Sequence, residues 1–157
     1  MIIDCHAHIF SSRIISAVTA KSAMVEKLKL QASFAEGRTT ASALEDDCRS
    51  SGIDVCLILP TASAENVRNV NTAFIQLAAG SDFLFTAGTL HPFYGDNKEE
   101  LLRLQAHGVR AIKLCSFSQG FALSTPETYR LFNIIESANS PTNGGTFVIL
   151  DTFSLAH

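Results

Sequence analysis

The chain has 157 residues, 46% of them hydrophobic, and a net charge of −3, enough for one compact domain with its own core. Acidic and basic residues are mixed along its length, which leaves no electrostatic footprint for nucleic acid or an anionic membrane, and no apolar run is long enough to span a bilayer. Cys5, Cys48, Cys56 and Cys115 are widely spaced and form no Cys-x-x-Cys, which predicts reduced thiols in a cytoplasmic protein rather than a disulfide framework.

"MIIDCHAHI" (1–9) alternates like a strand. A helix is predicted from 11 to about 37, and a second from a Thr39 or Thr40 cap to Ser51, stopped by Gly52. "DVCLILP" (54–60) is a near-continuous apolar run closed by Pro60, as in a strand buried on both faces. Val67, Val70, Phe74 and Leu77 follow at helical spacing up to Gly80. "FLFTAGTL" (83–90) reads as a third strand. Asp96 with Glu99 makes a capping-box pattern before the next helix, and "VRAIKLC" (109–115) is a fourth strand. Ser124 with Glu127 gives a second capping-box pattern with Pro126 in the first turn. After the polar loop 139–145, "TFVILD" (146–151) is a fifth strand.

Strands alternating with helices indicate βα units and a parallel sheet. No Gly-x-Gly-x-x-Gly follows the first strand, so the dinucleotide-binding sheet loses support against a (β/α) barrel. Polar residues at the C-terminal ends of strands suit the barrel, whose active sites lie on that face.

Residues two apart on a strand point the same way, about 6.6 Å apart. Asp4, His6 and His8 are therefore expected on one face, with Ile3, Cys5, Ala7 and Ile9 on the other. Two imidazoles so placed reach one divalent ion, and Asp4 either binds directly or orients a histidine. The other reading is a polar face on an exposed edge strand. His91, ending the third strand, is either a group at the pocket rim or a loop histidine bonded to backbone. Lys113 faces the barrel interior with Ala111 and Cys115, where an ammonium needs a partner. It pairs with Asp4 or Asp151, binds an anionic substrate group, or is carboxylated into a metal bridge. Asp151 brings a carboxylate to the same rim, or else caps a following helix. His107, before Gly108, caps a helix end.

"IIDCHAHIF" resembles the first-strand His-x-His signature of the amidohydrolase superfamily. Together with "GVRAIKLCSFSQGF" and "PETYRLFNIIESA" it is similar to the amidohydrolase-related (amidohydrolase 2) branch. The resemblance implies a TIM-barrel-like fold and a metal-dependent hydrolase of C–N, ester or lactone bonds, or a metal-assisted decarboxylase. It implies that His6 and His8 are metal ligands and that the ion is zinc, or else manganese. The third ligand of that branch is a histidine ending the fifth strand, where this chain has Asp151. His91, Lys113 and Asp151 are then the candidate catalytic groups, acting on a small-molecule substrate. TatD-like metal-dependent deoxyribonucleases begin with a similar first strand and are the alternative class.

A complete barrel has eight strands and about 250 residues. Residues 1–157 are expected to form a single partial barrel of about five βα units. The sixth-strand histidine and eighth-strand aspartate of the family have no counterpart among them. Three readings follow: a truncated enzyme inactive alone, one part of a barrel completed by a second chain or copy, or a non-catalytic remnant that binds metal or a partner. The uncovered inner face predicts self-association.

Overall fold

The computed structural model describes residues 1–10, 16, 20, 22–27, 40–139 and 145–151. Of the helix expected over 11–37, the segment Ser22–Lys27 (α1) is described, and most of the remainder lies outside the described residues. In chain order the other elements are β1 (Ile3–Ala7), α2 (Ala41–Ser50), β2 (Val55–Ile58) and, after a 3-10 turn, α3 (Val67–Ala79). They continue with β3 (Leu84–Thr86), β4 (Gly88–Thr89), α4 (Asn97–Ala106), β5 (Ala111–Cys115), a short α5 (Ser116–Gln119), α6 (Pro126–Ser137) and β6 (Phe147–Asp151).

Among the described residues all strand pairs are parallel, in two three-stranded sheets ordered β1-β2-β3 and β4-β5-β6. The single third strand expected over 83–90 is thus two. The chain pairs with β2 as far as Ala87, whose N–H donates to the Ile58 carbonyl at 3.0 Å, and then turns to pair with β5. Gly88 sits at that turn under α4. A Cβ there would stand 2.5 Å from Leu104 Cδ1, so any larger residue has to displace that buried side chain.

The helix ends follow their local chemistry. Thr40 caps α2, its hydroxyl accepting the Ala43 N–H at 3.2 Å. The α6 cap is Thr125 rather than Ser124, with Pro126 as first helical residue. Asp96 occupies the N-cap position of α4 without a side-chain capping bond, and Glu99 pairs instead with Arg68 of α3 at 2.9 Å.

Three apolar clusters hold these layers. Ile112 and Leu114 of β5 face Leu101 and Leu104 of α4 and Leu131 and Ile135 of α6. Behind the first sheet, Ala7, Cys56, Ile58 and Leu84 meet Cys48 of α2 and Phe83, which precedes β3. On the inner face, away from the helices, Leu59, Ala87 and Ala111 form a smaller cluster with Leu57 and Ile149. Inner-face residues nearer the strand starts remain open, with Ile3 47%, Phe85 55% and Phe147 56% exposed.

One buried polar network joins α3, β4 and α4. The Asn71 amide donates to the Thr89 carbonyl (2.9 Å) and to Glu100 Oε1 (2.8 Å), and its oxygen accepts the Thr89 N–H (2.8 Å). Arg103 completes the carboxylate's shell with two bonds of 2.7 and 2.9 Å. Burial pushes the Glu100 carboxyl up, but the bonds from Arg103 and Asn71 outweigh it and hold the group below its ordinary value. Asn71→Ala leaves both the buried Thr89 N–H and Glu100 short of a partner. The expected loss is about 2–4 kcal/mol, read as a fall in the urea midpoint at unchanged slope. A loss below about 1 kcal/mol would contradict the network's role.

Candidate metal centre

The register of β1 decides which groups meet. Ile3 pairs with Val55 and Asp4 with Cys56, but the next partner of Ile58 is Ala7, so β1 carries one extra residue between Asp4 and Ala7. A bulge of this kind breaks the strict alternation of faces. Asp4 lies with Cys56 on the helix-facing side, as does buried Ala7. The expectation that Asp4 shares a face with His6 and His8 is therefore wrong, and Asp4 is not a ligand beside them. Its Oδ1 accepts the His6 backbone N–H at 2.9 Å, a local bond that fits the bulge.

His6 and His8 come together on the inner side. Their Nε2 atoms are 3.1 Å apart, with ring planes inclined by 72°. His8 Nδ1 lies 2.8 Å from the Leu59 carbonyl, which can only accept, so Nδ1 carries the proton and Nε2 presents its lone pair. Burial, reinforced by the charges of His6 and Lys113, lowers the His8 pKa against the opposing pull of the Leu59 carbonyl and Asp151. A neutral imidazole with a fixed tautomer is the ligand form. Two nitrogens at 2.0–2.1 Å from a tetrahedral ion stand about 3.3–3.4 Å apart, close to the spacing seen. The pair fits a divalent ion.

Lys113 and Asp151 meet on the same inner face. β5 and β6 pair Lys113 with Ile149 and Cys115 with Asp151, so Asp151 is a diagonal neighbour of Lys113. Lys113 Nζ lies 2.6 Å from Asp151 Oδ2, with the lysine fully buried and the carboxylate 29% exposed. The contact is close but not aligned as a hydrogen bond, and no other acceptor satisfies Nζ among the described residues. Desolvation raises the Asp151 pKa, yet Lys113, with His6 and His8 further off, more than reverses it and keeps the group ionised. No third ligand atom of a histidine, cysteine, aspartate or glutamate lies within 4.8 Å of both histidine donors among the described residues. Asp151 is turned to Lys113 instead.

His91 lies just beyond β4 rather than at its end, and backbone takes both ring nitrogens. The Phe93 N–H donates to Nδ1 (3.2 Å), which leaves Nε2 to donate to the Gln119 carbonyl (3.0 Å). Of the four groups expected to converge on one rim, Lys113 and Asp151 meet, Asp4 is behind the sheet, and His91 is tied to the α5 turn. Sequence reasoning missed Gln119. Its amide donates to the Ala62 and Leu90 carbonyls and accepts the Cys115 N–H, which ties together the ends of β2, β4 and β5. Nothing in "SFSQGF" marks that role beyond the left-handed Gly120 after it.

No family model matches this chain, and no curated protein matches it by sequence. Among solved structures it is similar to a probable 2-pyrone-4,6-dicarboxylic acid hydrolase from Acinetobacter baumannii crystallised with citric acid bound. The identity is 20% and the TM-score 0.57 over 95% of this chain. The likeness shows the fold, a parallel (β/α) arrangement that does not close into a barrel among the described residues. The chain spans about half, 48%, of the length of that structure. No helix among the described residues is long and apolar enough to cross a membrane.

Removing one member of the Lys113–Asp151 pair is expected to be worse than removing both. Asp151→Asn strips the counter-charge from a buried ammonium and costs about 3 kcal/mol, whereas Lys113→Met/Asp151→Leu stays within about 1 kcal/mol of the parent or exceeds it. The depressed Asp151 pKa adds a pH signature. The pair's contribution is complete above the ordinary carboxylate range and is lost as pH falls through the lower folded value. The double variant should lack that part of the acid limb. Urea unfolding across acid and neutral pH checks both statements, and equal losses in the single and double variants would contradict them.

Proposed function

We propose that this protein is a metal-dependent hydrolase of the amidohydrolase-related kind that holds one divalent ion, zinc, on His6 and His8. The observation that carries the reading is the facing pair of Nε2 atoms, with the His8 tautomer fixed by the Leu59 carbonyl. When bound, the ion polarises a carbonyl and lowers the pKa of water, chemistry that suits an ester, lactone or amide. The A. baumannii neighbour, by its name a hydrolase of a pyrone dicarboxylate and holding citric acid, favours a small lactone or ester that bears carboxylates.

The chain's own groups divide the remaining work. Lys113 is a buried cation at the site, and with Asp151 its one close charge partner among the described residues it has N–H groups left for a substrate carboxylate or a developing oxyanion. Asp151 holds that ammonium in place. Neither Asp151, spent on Lys113, nor His91, spent on backbone, is a free general base. General acid–base help is worth about 10²–10⁴ in rate, so turnover by this chain is slow. A metal-binding role without catalysis is the second reading, supported by the lack of a third histidine, cysteine or carboxylate ligand beside the pair among the described residues. The four free cysteines support a reducing, cytoplasmic setting.

Metal analysis of untagged protein tests the centre. His6→Ala/His8→Ala is expected to lose one equivalent of zinc relative to the parent, and equal metal content in the two proteins would refute the assignment. In a panel of carboxylated lactones, esters and amides, the parent should show slow, metal-dependent turnover that vanishes in the double variant. The exposed inner-face residues Ile3, Phe85 and Phe147 further support self-association. Size-exclusion chromatography should show oligomers that Phe85→Lys shifts towards monomer, and a clean parental monomer would remove that part of the reading.

A further inference from the structure

Behind β1, on the side away from the histidine pair, three donors from three elements converge. The Asp4 carboxylate, the Cys48 Sγ in the last turn of α2 and the Cys56 Sγ of β2 all lie within 4.8 Å of one another. Cys56 is fully buried and Cys48 is 5% exposed, and both are free thiols. We propose that Asp4, Cys48 and Cys56 form a second metal site, selective for a thiophilic ion such as zinc, that staples β1 and α2 onto β2.

Chemistry and geometry both favour this. A tetrahedral zinc with sulfur at about 2.3 Å and oxygen at about 2.0–2.2 Å sets its donors roughly 3.4–3.8 Å apart, which this cluster reaches by small side-chain rotations. Two thiolates with one carboxylate select zinc, cadmium or cobalt over magnesium and calcium, and water completes the shell on the half-exposed Asp4 side. The arrangement sets one carboxylate and two thiols from three elements side by side, a donor set that suits such a cation. The carboxylate's one hydrogen bond among the described residues comes from the His6 N–H. The bulge in β1 puts Asp4 there, so the same local geometry that removes it from the histidine pair delivers it to the sulfurs. β1 is an outer strand with a small cluster behind it, where a metal crosslink adds stability in proportion to its occupancy.

The test uses the full chain carrying His6→Ala/His8→Ala, so its outcome is independent of the histidine centre. Those changes keep the His6 backbone N–H that Asp4 accepts. The protein, purified reduced and untagged, is loaded with one equivalent of cobalt(II) or zinc. The expected results are a near-ultraviolet thiolate-to-cobalt charge-transfer band that saturates at one equivalent and a rise in the thermal midpoint that chelator reverses. Zinc X-ray absorption should show two sulfur neighbours at about 2.3 Å. Adding Cys48→Ala or Cys56→Ala should abolish the band. If those variants fail to fold, the absorption spectrum of the histidine variant decides alone. A first shell of nitrogen and oxygen only, no binding, or a band that survives loss of Cys48 and Cys56 would overturn the site.

Discussion

Between Asp4 and Ala7, β1 carries one residue more than β2 offers opposite it, and the side on which each polar group of the N-terminus lies follows from that irregularity. With regular pleating, Asp4 and both imidazoles would crowd one face, and Ala7 would have to leave the cluster it shares with Ile58 and Cys56. The bulge lets small Ala7 stay buried while His6 and His8 turn inward. The Leu59 N–H donates to the Ala7 carbonyl at 2.8 Å just beyond the bulge, and the Leu59 carbonyl then receives His8. A single backbone residue of β2's extension thus closes the irregularity and sets the imidazole tautomer.

The inner face has its own electrostatic order. Among the described residues Asp151 is the close countercharge of buried Lys113, and both act on His8 from β5 and β6 while Leu59, just after β2, holds it. The histidine pair therefore belongs to the inner surface of the whole arrangement, although its residues come from one short stretch of chain. On the opposite side of β4, Asn71 satisfies the short strand's backbone from α3, and Glu100 of α4 accepts from the same Asn71 amide. Strand β4 is two residues long, so it offers few ladder bonds, and the amide of Asn71 does the work that a longer strand would do for itself.

Much of this was legible in the sequence where the signal is apolar periodicity. The βα alternation, the buried run at β2, and the inward phase of Lys113 and Asp151 follow from patterns that burial enforces over several residues. A threonine cap for α2 was legible as Thr39 or Thr40, and the structure uses Thr40. What was hidden depended on one backbone residue or on partners far along the chain. The bulge left "IDCHAHI" a perfect alternating string, so Asp4 was assigned to the wrong side. The division of the third strand hung on Ala87 turning between two partners, with Gly88 admitting Leu104. For His91, the choice between rim and backbone rested on Gln119, 28 residues later.

The bulge also explains why the two faces of β1 differ in chemical hardness. The inner side presents imidazole nitrogens and, across the sheet, a carboxylate already committed to an ammonium. The helix side presents sulfur with one carboxylate oxygen. A regular strand would have mixed these donors, leaving Asp4 to compete with Asp151 for Lys113 and to crowd the two nitrogens. Asp4 Oδ1 instead takes the backbone N–H of His6, one of the two imidazole-bearing residues. The thiol cluster and the histidine pair therefore share a piece of backbone without sharing a ligand, and any change in the position of Asp4 is passed to the Cα of His6 through that bond.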